Sequence, residues 1–263
     1  MGFFICFKYI TDAIEDVRLQ VSDSNSMYSD KDLGTWSSIS DVDTFLSRFN
    51  HANGYYNDGI KLSLGNHVTI QDGTYNAVWE IAGFDMESNQ EAADGTTFDN
   101  GYGICLIPQT QLTTAAWNAS NTLSGAYKSS TMHNTHLPGI VTKLQTILGS
   151  HIVQRNVLLS SSVDSNYYSN AYTWTTAYAT LMSIGQMTGT FAANNNKYDD
   201  GEANYKLPIF NSKDFATGSI FWSRGVCGNA SSICYAWRVR SDGVIYGNNV
   251  RNTVGVRPLI YLR

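Results

Sequence analysis

The stretch that most constrains this chain lies at its C-terminal end. Residues Phe215 to Arg263 contain no Lys, Glu, Gln or Met, although residues 1–214 carry 27 of them. Gly, Asn, Ser, Val, Tyr and Cys take their place, with six of the chain's nine arginines. Phe221-Trp222, Ile233 to Arg240, Val244 to Gly247 and Val256 to Leu262 read as short strands, and Ser241-Asp242-Gly243 supplies a turn. A chain that ends this way closes on β-structure.

Charge follows the same division. Six arginines against one acid, Asp242, give the tail +5 and leave −10 on residues 1–214, hidden inside an overall −5. A basic surface rich in Arg, Tyr and Asn on an acidic body reads as a recognition face. The overall acidity argues against non-specific nucleic-acid binding. At 263 residues the chain is one large domain or one domain with an appendage. Charged residues make up 15%, below the usual ~25%, and 16 Tyr with 6 Trp suit a protein that binds through aromatic and amide groups. The opening MGFFICFKYI is apolar but short, lacks an early positive region and runs straight into Asp12, Glu15 and Asp16, so neither a signal peptide nor a membrane span is expected. Cys6, Cys105, Cys227 and Cys234 show no metal-type spacing, and unpaired thiols are the expectation. Cys227 and Cys234 are near enough in sequence to pair in an oxidising medium.

Residues 1–60 differ from the rest. A helix is expected over Phe3 to Leu19, then a polar Ser/Asp stretch, then a short helix N-capped by Ser40 with Val42, Phe45, Leu46 and Phe49 on one face. This region is read as an attachment or oligomerisation segment, the other reading being a first layer of the main domain. From His67 strands take over: His67 to Gln71 and Tyr75 to Gly83 form a hairpin around Asp72-Gly73. Tyr102 to Pro108 is a further strand. Pro138 to Leu148 is a helix with Pro in its first turn and Gly149 as its stop. Val153 to Leu159 is strand-like, Trp174 to Met187 alternates small and apolar residues as a buried helix does, and Asn194 to Asn204 is a loop. Short antiparallel strands with flanking helices make an α+β fold.

Alternation along Tyr235-Ala236-Trp237-Arg238-Val239-Arg240 puts Trp237 and Val239 on one face and Arg238 and Arg240 on the other. Two arginines so close on one face call for something acidic, aromatic or phosphorylated nearby. The bland alternative is a solvated strand face with neighbouring carboxylates. Signals for chemistry are weak. His133 and His136 form an H-x-x-H without a Glu or Cys partner at helical spacing, which reads as a loop or helix-start pair. Asp199-Asp200-Gly201-Glu202 offers oxygen ligands for Ca²⁺ but lacks the EF-hand pattern, so an ordinary acidic loop is favoured and no cofactor is assigned.

The runs Phe221-Trp222-Ser223-Arg224, Ala236-Trp237-Arg238-Val239-Arg240-Ser241-Asp242-Gly243 and Gly255-Val256-Arg257-Pro258-Leu259-Ile260-Tyr261-Leu262-Arg263 together resemble the C-type-lectin-like domain of variable proteins diversified by retroelements. The likeness extends more loosely back through Tyr127-Lys128-Ser129-Ser130, Leu106-Ile107-Pro108 and Trp79 to Gly83. In that family an error-prone reverse transcriptase rewrites template adenines, commonly in AAC or AAT codons. Changing the first two bases of such codons never yields Lys, Glu, Gln, Met or Trp. The first four are the types missing from the tail, and the one Trp between Arg224 and Val254 is Trp237, which alternation already assigns to the core.

The resemblance implies a C-type-lectin-like fold over 61–263 with a variable region at about 221–255. Its ligand-facing set is Val226, Cys227, Asn229, Cys234, Tyr235, Arg238, Arg240, Tyr246, Asn248, Asn249, Arg251 and Val254, and on this view Cys227 and Cys234 are products of randomisation rather than a disulfide framework. Trp222, Ala236, Trp237, Val239, Ser241 to Gly243 and Gly255 to Leu262 are its fixed framework, with Arg257 paired in the core rim. The function implied is non-catalytic recognition of a bacterial surface protein or glycan, by a phage tail-fibre tip in the virion, as a homo-oligomer such as a trimer. The alternatives are a bacterial surface-displayed adhesin and an enzyme of the formylglycine-generating type, which shares the broad fold class. A catalytic cysteine needs a base or metal beside it, and no His follows His151.

Overall fold

The computed structural model describes residues 27–86, 89–91, 97–99, 101–189, 206–228 and 234–263. The expected helix at Phe3 to Leu19, the 194–204 loop with its acidic cluster, and Asn229 lie outside them.

In chain order the strands are β1 (Asp32–Trp36), β2 (Tyr56–Asn57), β3 (Ile60–Lys61), β4 (His67–Ile70), β5 (Ala77–Phe84), β6 (Asn89–Glu91), β7 (Thr97–Asp99), β8 (Ile104–Pro108), β9 (Thr113–Ala116), β10 (Arg155–Val163), β11 (Ser169–Ala177), β12 (Ala179–Leu181), β13 (Phe221–Cys227), β14 (Tyr235–Val239), β15 (Ile245–Asn249), β16 (Thr253–Val256) and β17 (Pro258–Leu262). The α-helices are α1 (Ile39–Arg48), α2 (Leu137–Leu148) and α3 (Ile184–Thr188). The architecture is α+β, mostly sheet. A six-stranded sheet runs β1-β4-β5-β8-β17-β12, and a five-stranded sheet runs β15-β14-β13-β16-β9. Pairing is antiparallel except β1 with β4 and β13 with β16.

The local grammar explains most elements. In the β4–β5 hairpin Asp72 Oδ1 accepts from the backbone N–H groups of Thr74 and Tyr75 at 2.7 Å, and Gly73 takes φ +77°. Helix α1 starts earlier than expected, because Ser38 rather than Ser40 is its N-cap, in a capping box with Asp41. Helix α2 carries Pro138 in its first turn and ends at Gly149, burying Ile140, Leu144, Ile147 and Leu148.

One expectation gives way here. Trp174 to Met187 is not a helix: the Thr-rich run Thr173 to Thr176 pairs with Val157 to Leu159 and Asn156 as a half-exposed β-hairpin, a surface that β-branched residues fit well. Helix survives only as the five residues of α3, capped by Ser183 and stopped by Gly189 at φ +75°. Strand β1 is an edge strand of the large sheet, and Trp36, Val42, Phe45, Phe49 and Tyr55 join the same core as Trp79, Trp117 and Trp222.

Candidate functional site

The C-terminal strands are held from below by buried aromatic and ionic anchors. Trp222 Nε1 donates to Ala115 O at 2.9 Å and Trp117 Nε1 donates to Ser223 O at 3.2 Å, so two indoles brace β13 against the β9 segment from both sides. Residues Gly255 to Leu262 are buried throughout. Arg257, 1% exposed, donates through Nε to Pro108 O at 2.7 Å, through Nη1 to Phe215 O at 3.1 Å and through Nη2 to Glu80 Oε1 at 3.3 Å. Lys213 Nζ reaches the other Glu80 oxygen at 2.6 Å. Burial pulls the Arg257 guanidinium down to about 10 while Glu80 pulls it back up, so it stays charged near neutral pH. Arg257 is therefore structural, as its place in the terminal strand suggested.

Strand register sorts the expected ligand-facing residues. Across β13, β14 and β15 the rows are Trp222–Arg238–Tyr246 and Val226–Ala236–Asn248 on one face, and Phe221–Val239–Ile245 and Cys227–Tyr235–Asn249 on the other. The expected set is thus divided between two faces. Arg238, Tyr246 and Asn248 share one, with Arg240 on the same alternation just past β14. Tyr235, Cys227 and Asn249 share the other with Trp237 and Val239. Tyr246 is 60% exposed, the most exposed large apolar side chain among the described residues. Arg251 is exposed in the turn after β15, and Arg240 is about half-exposed.

Three members of the set do not face solvent. Val226 is 1% exposed, Cys234 4% and Val254 6%. Val226 keeps the face of Trp222, because four residue steps along β13 oppose two along β14 and the alternation is preserved, and it is covered there together with Trp222 and Ala236, both fully buried. Cys234 lies under the β15 turn, where its backbone carbonyl accepts from Val250 N at 3.1 Å and its thiol points at Asn121 O, 3.6 Å away. Burial pushes that thiol's pKa up, and it is a free thiol, so no bridge to Cys227 is formed. Val254 pairs with Ala115 inside the sheet.

The asparagines are partly committed to the framework. Asn252 Nδ2 donates to Asn248 Oδ1 at 2.8 Å, Asn249 Oδ1 accepts from Arg251 N at 2.9 Å, and Asn249 Nδ2 donates to Asn121 Oδ1 at 3.3 Å. Basic charge is also less available than composition implied. Arg224 and Arg257 are fully buried, and Arg240 pairs with Asp242 at 3.2 Å, supplying the acidic neighbour the sequence called for. Arg238 remains half-buried with its Nε shielded from solvent and without a hydrogen-bond partner, directly across from Tyr246. Among the described residues of the expected set, an unmatched guanidinium donor thus lies beside an exposed phenol.

Sequence reasoning missed two cavities away from this sheet. One, of about 420 Å³, is lined by His133, Gln145, Gln154, Thr175, Thr176 and Tyr178, and His133 sits there in a π-helical turn, Met132–His136. The other, of about 450 Å³, lies against the C-terminal end of α1. Among the described residues no group of three or more His, Cys, Asp or Glu is placed to hold a metal ion, and no helix is long and apolar enough to cross a membrane. No family model, curated protein or solved structure matches this chain.

Proposed function

We propose that this chain is a non-catalytic recognition protein with a C-type-lectin-like domain, whose β14–β15 face binds a bacterial surface protein or glycan and is diversified by retroelement mutagenesis. The phage tail-fibre tip is the setting favoured, with several copies raising weak single-site binding to useful avidity. One observation carries the reading: of the residues the family pattern holds constant, Trp222, Ala236, Val239 and Gly255 to Leu262 are buried, with Trp237 half-buried and Ser241 to Gly243 in the turn at the surface, while Arg238, Arg240, Tyr246 and Arg251 lie at or near the surface of the segment that lacks Lys, Glu, Gln and Met. Side-chain exchange at such surface positions changes stability by only ~0.5 kcal/mol, which leaves binding free to vary. Within the set, Arg and Tyr are the types that dominate binding hot spots.

The reading is tested by sequencing the last fifty or so codons across a population of the source and searching beside the gene for an adenine-rich near-copy. Substitutions concentrated at Arg238, Arg240, Tyr246 and Arg251, with Gly255 to Leu262 constant and the near-copy present, support it. A uniform tail without a near-copy, or changes scattered equally through the buried framework, overturns it.

A further inference from the structure

Two of the chain's backbone outliers meet at one place. Tyr55 has φ +59° and Asp85 φ +54°, both in the left-handed region, which costs a non-glycine residue something and persists where the surroundings impose it. Their side chains join: the Tyr55 hydroxyl donates to Asp85 Oδ1, which also accepts from Gly103 N at 2.9 Å, and Asp85 Oδ2 lies 2.8 Å from His51 Nδ1. The His51 ring is thereby held flat on Tyr102, with centroids 3.4 Å apart and planes 1° from parallel. Asp85 is fully engaged by these partners, and its network fixes an aromatic wall rather than presenting a carboxylate.

Beside that wall opens the α1 cavity, whose volume of about 450 Å³ is within the range of small-molecule sites. Its floor is apolar, made by Phe49, Tyr55, Ile104 and Leu262, each at most 4% exposed. Arg263 stands at its rim, where its guanidinium crosses Gly101 so closely that a side chain there would collide with it, and Gly101 takes φ +68°. Among the described residues no carboxylate lies within ion-pairing distance of that guanidinium. The cavity thus combines an apolar floor, a locked aromatic side and a cation without a carboxylate partner among the described residues, while the nearby Asp85 carboxylate is already satisfied.

We propose that this cavity binds a small amphiphilic monocarboxylate, with the apolar body on Phe49, Ile104 and Leu262 and the carboxylate on Arg263. The guanidinium fork matches a carboxylate bidentately, which sets this ligand class apart from neutral or cationic molecules of the same shape. The site belongs to the six-stranded sheet and α1, and it stands independently of the reading of the β14–β15 face.

The test uses the full chain with 2-naphthoate and its neutral analogue 2-naphthylmethanol, measured by isothermal titration calorimetry. From the efficiency of small ligands, naphthoate should bind with a Kd on the order of 0.1–1 mM. Arg263→Gln, at an exposed position, should weaken naphthoate about tenfold and leave naphthylmethanol unchanged. Ala52→Trp, which places a large ring at the mouth, should abolish binding of both while the unfolding transition is retained. No naphthoate binding by the unmodified chain at 5 mM, an Arg263→Gln variant that binds it as the unmodified chain does, or unchanged binding in Ala52→Trp would each overturn the proposal.

Discussion

At the scale of single residues, His133 shows how position decides chemistry. It is largely buried, its ring packs 5.3 Å from Tyr127, and its Nδ1 has no hydrogen-bond partner. Burial first, then the nearby charges of Arg224 and Lys128, lower its pKa from 6.5 to about 4. The unfolded chain therefore binds a proton between those values that the folded chain refuses, so this residue's contribution to stability is complete above pH 6.5 and is lost as pH falls toward 4. Allowing for partial exposure, the loss is on the order of 1–2 kcal/mol. Urea unfolding of the unmodified chain and of His133→Gln at steps from pH 7 to pH 4 should show the unmodified chain losing stability more steeply. Parallel curves would mean that His133 titrates freely in the folded state. The H-x-x-H spacing is visible in the sequence, but the burial of His133 and the charge of Arg224 near it are not, because Arg224 arrives from β13.

At the scale of elements, the C-terminal sheet separates positions that must stay from positions that need not. Gly255 pairs with Phe221, and a Cβ added there would lie 2.4 Å from Ile220 O and 2.9 Å from Gln111 Cβ, with backbone on the tighter side. Tyr246 stands across from Arg238 on an edge strand and is mostly in solvent. Gly255→Ala should cost about 2 kcal/mol or more, whereas Tyr246→Ala should stay within ~0.5 kcal/mol, both read from denaturant midpoints. Equal costs would remove the distinction between framework and face. The same strands mark the limit of what the sequence makes legible. The Asp72-Gly73 hairpin and the Pro138 to Gly149 helix are readable because their turn and cap residues act locally. Trp174 to Met187 misleads because small and apolar residues in alternation suit a buried helix and a half-covered hairpin alike, and only pairing with β10 decides. Composition sets the tail apart in the sequence, but the covering of Val226 beside Ala236 and the fold of Cys234 under the β15 turn, neither visible there, decide which of its side chains reach solvent. The Asp85 network leaves no sequence trace, since His51 and Tyr55 stand 34 and 30 residues away from it.

At the scale of the whole molecule, the question is where the folding unit begins. Sequence leaves residues 1–60 open to two readings, an attachment segment or the first layer of the domain, and the contacts of the described part, residues 27–60, favour the second. Strand β1 extends the large sheet in parallel with β4, and α1 places Val42, Phe45 and Phe49 in the core beside Trp36. Polar ties run from the same segment to the far end of the chain: Asp43 Oδ1 lies 2.6 Å from His151 Nε2, and the Nδ1 of that ring lies 3.0 Å from the carbonyl of Arg263. Losing one buried Phe or Trp side chain costs about 3–5 kcal/mol, against a total stability of about 5–15 kcal/mol for a typical domain. A chain started at residue 61 gives up Trp36, Phe45, Phe49 and Tyr55 together and bares the apolar edge of β4, which exceeds any such margin. It should therefore show no cooperative unfolding transition and weak near-ultraviolet circular dichroism, while the full chain shows a single transition. A fragment 61–263 that unfolds cooperatively at a midpoint close to that of the full chain would restore the boundary at residue 60. It would also place the α1 cavity outside the autonomous domain, because His51, Phe49 and Tyr55 would then belong to a separate segment.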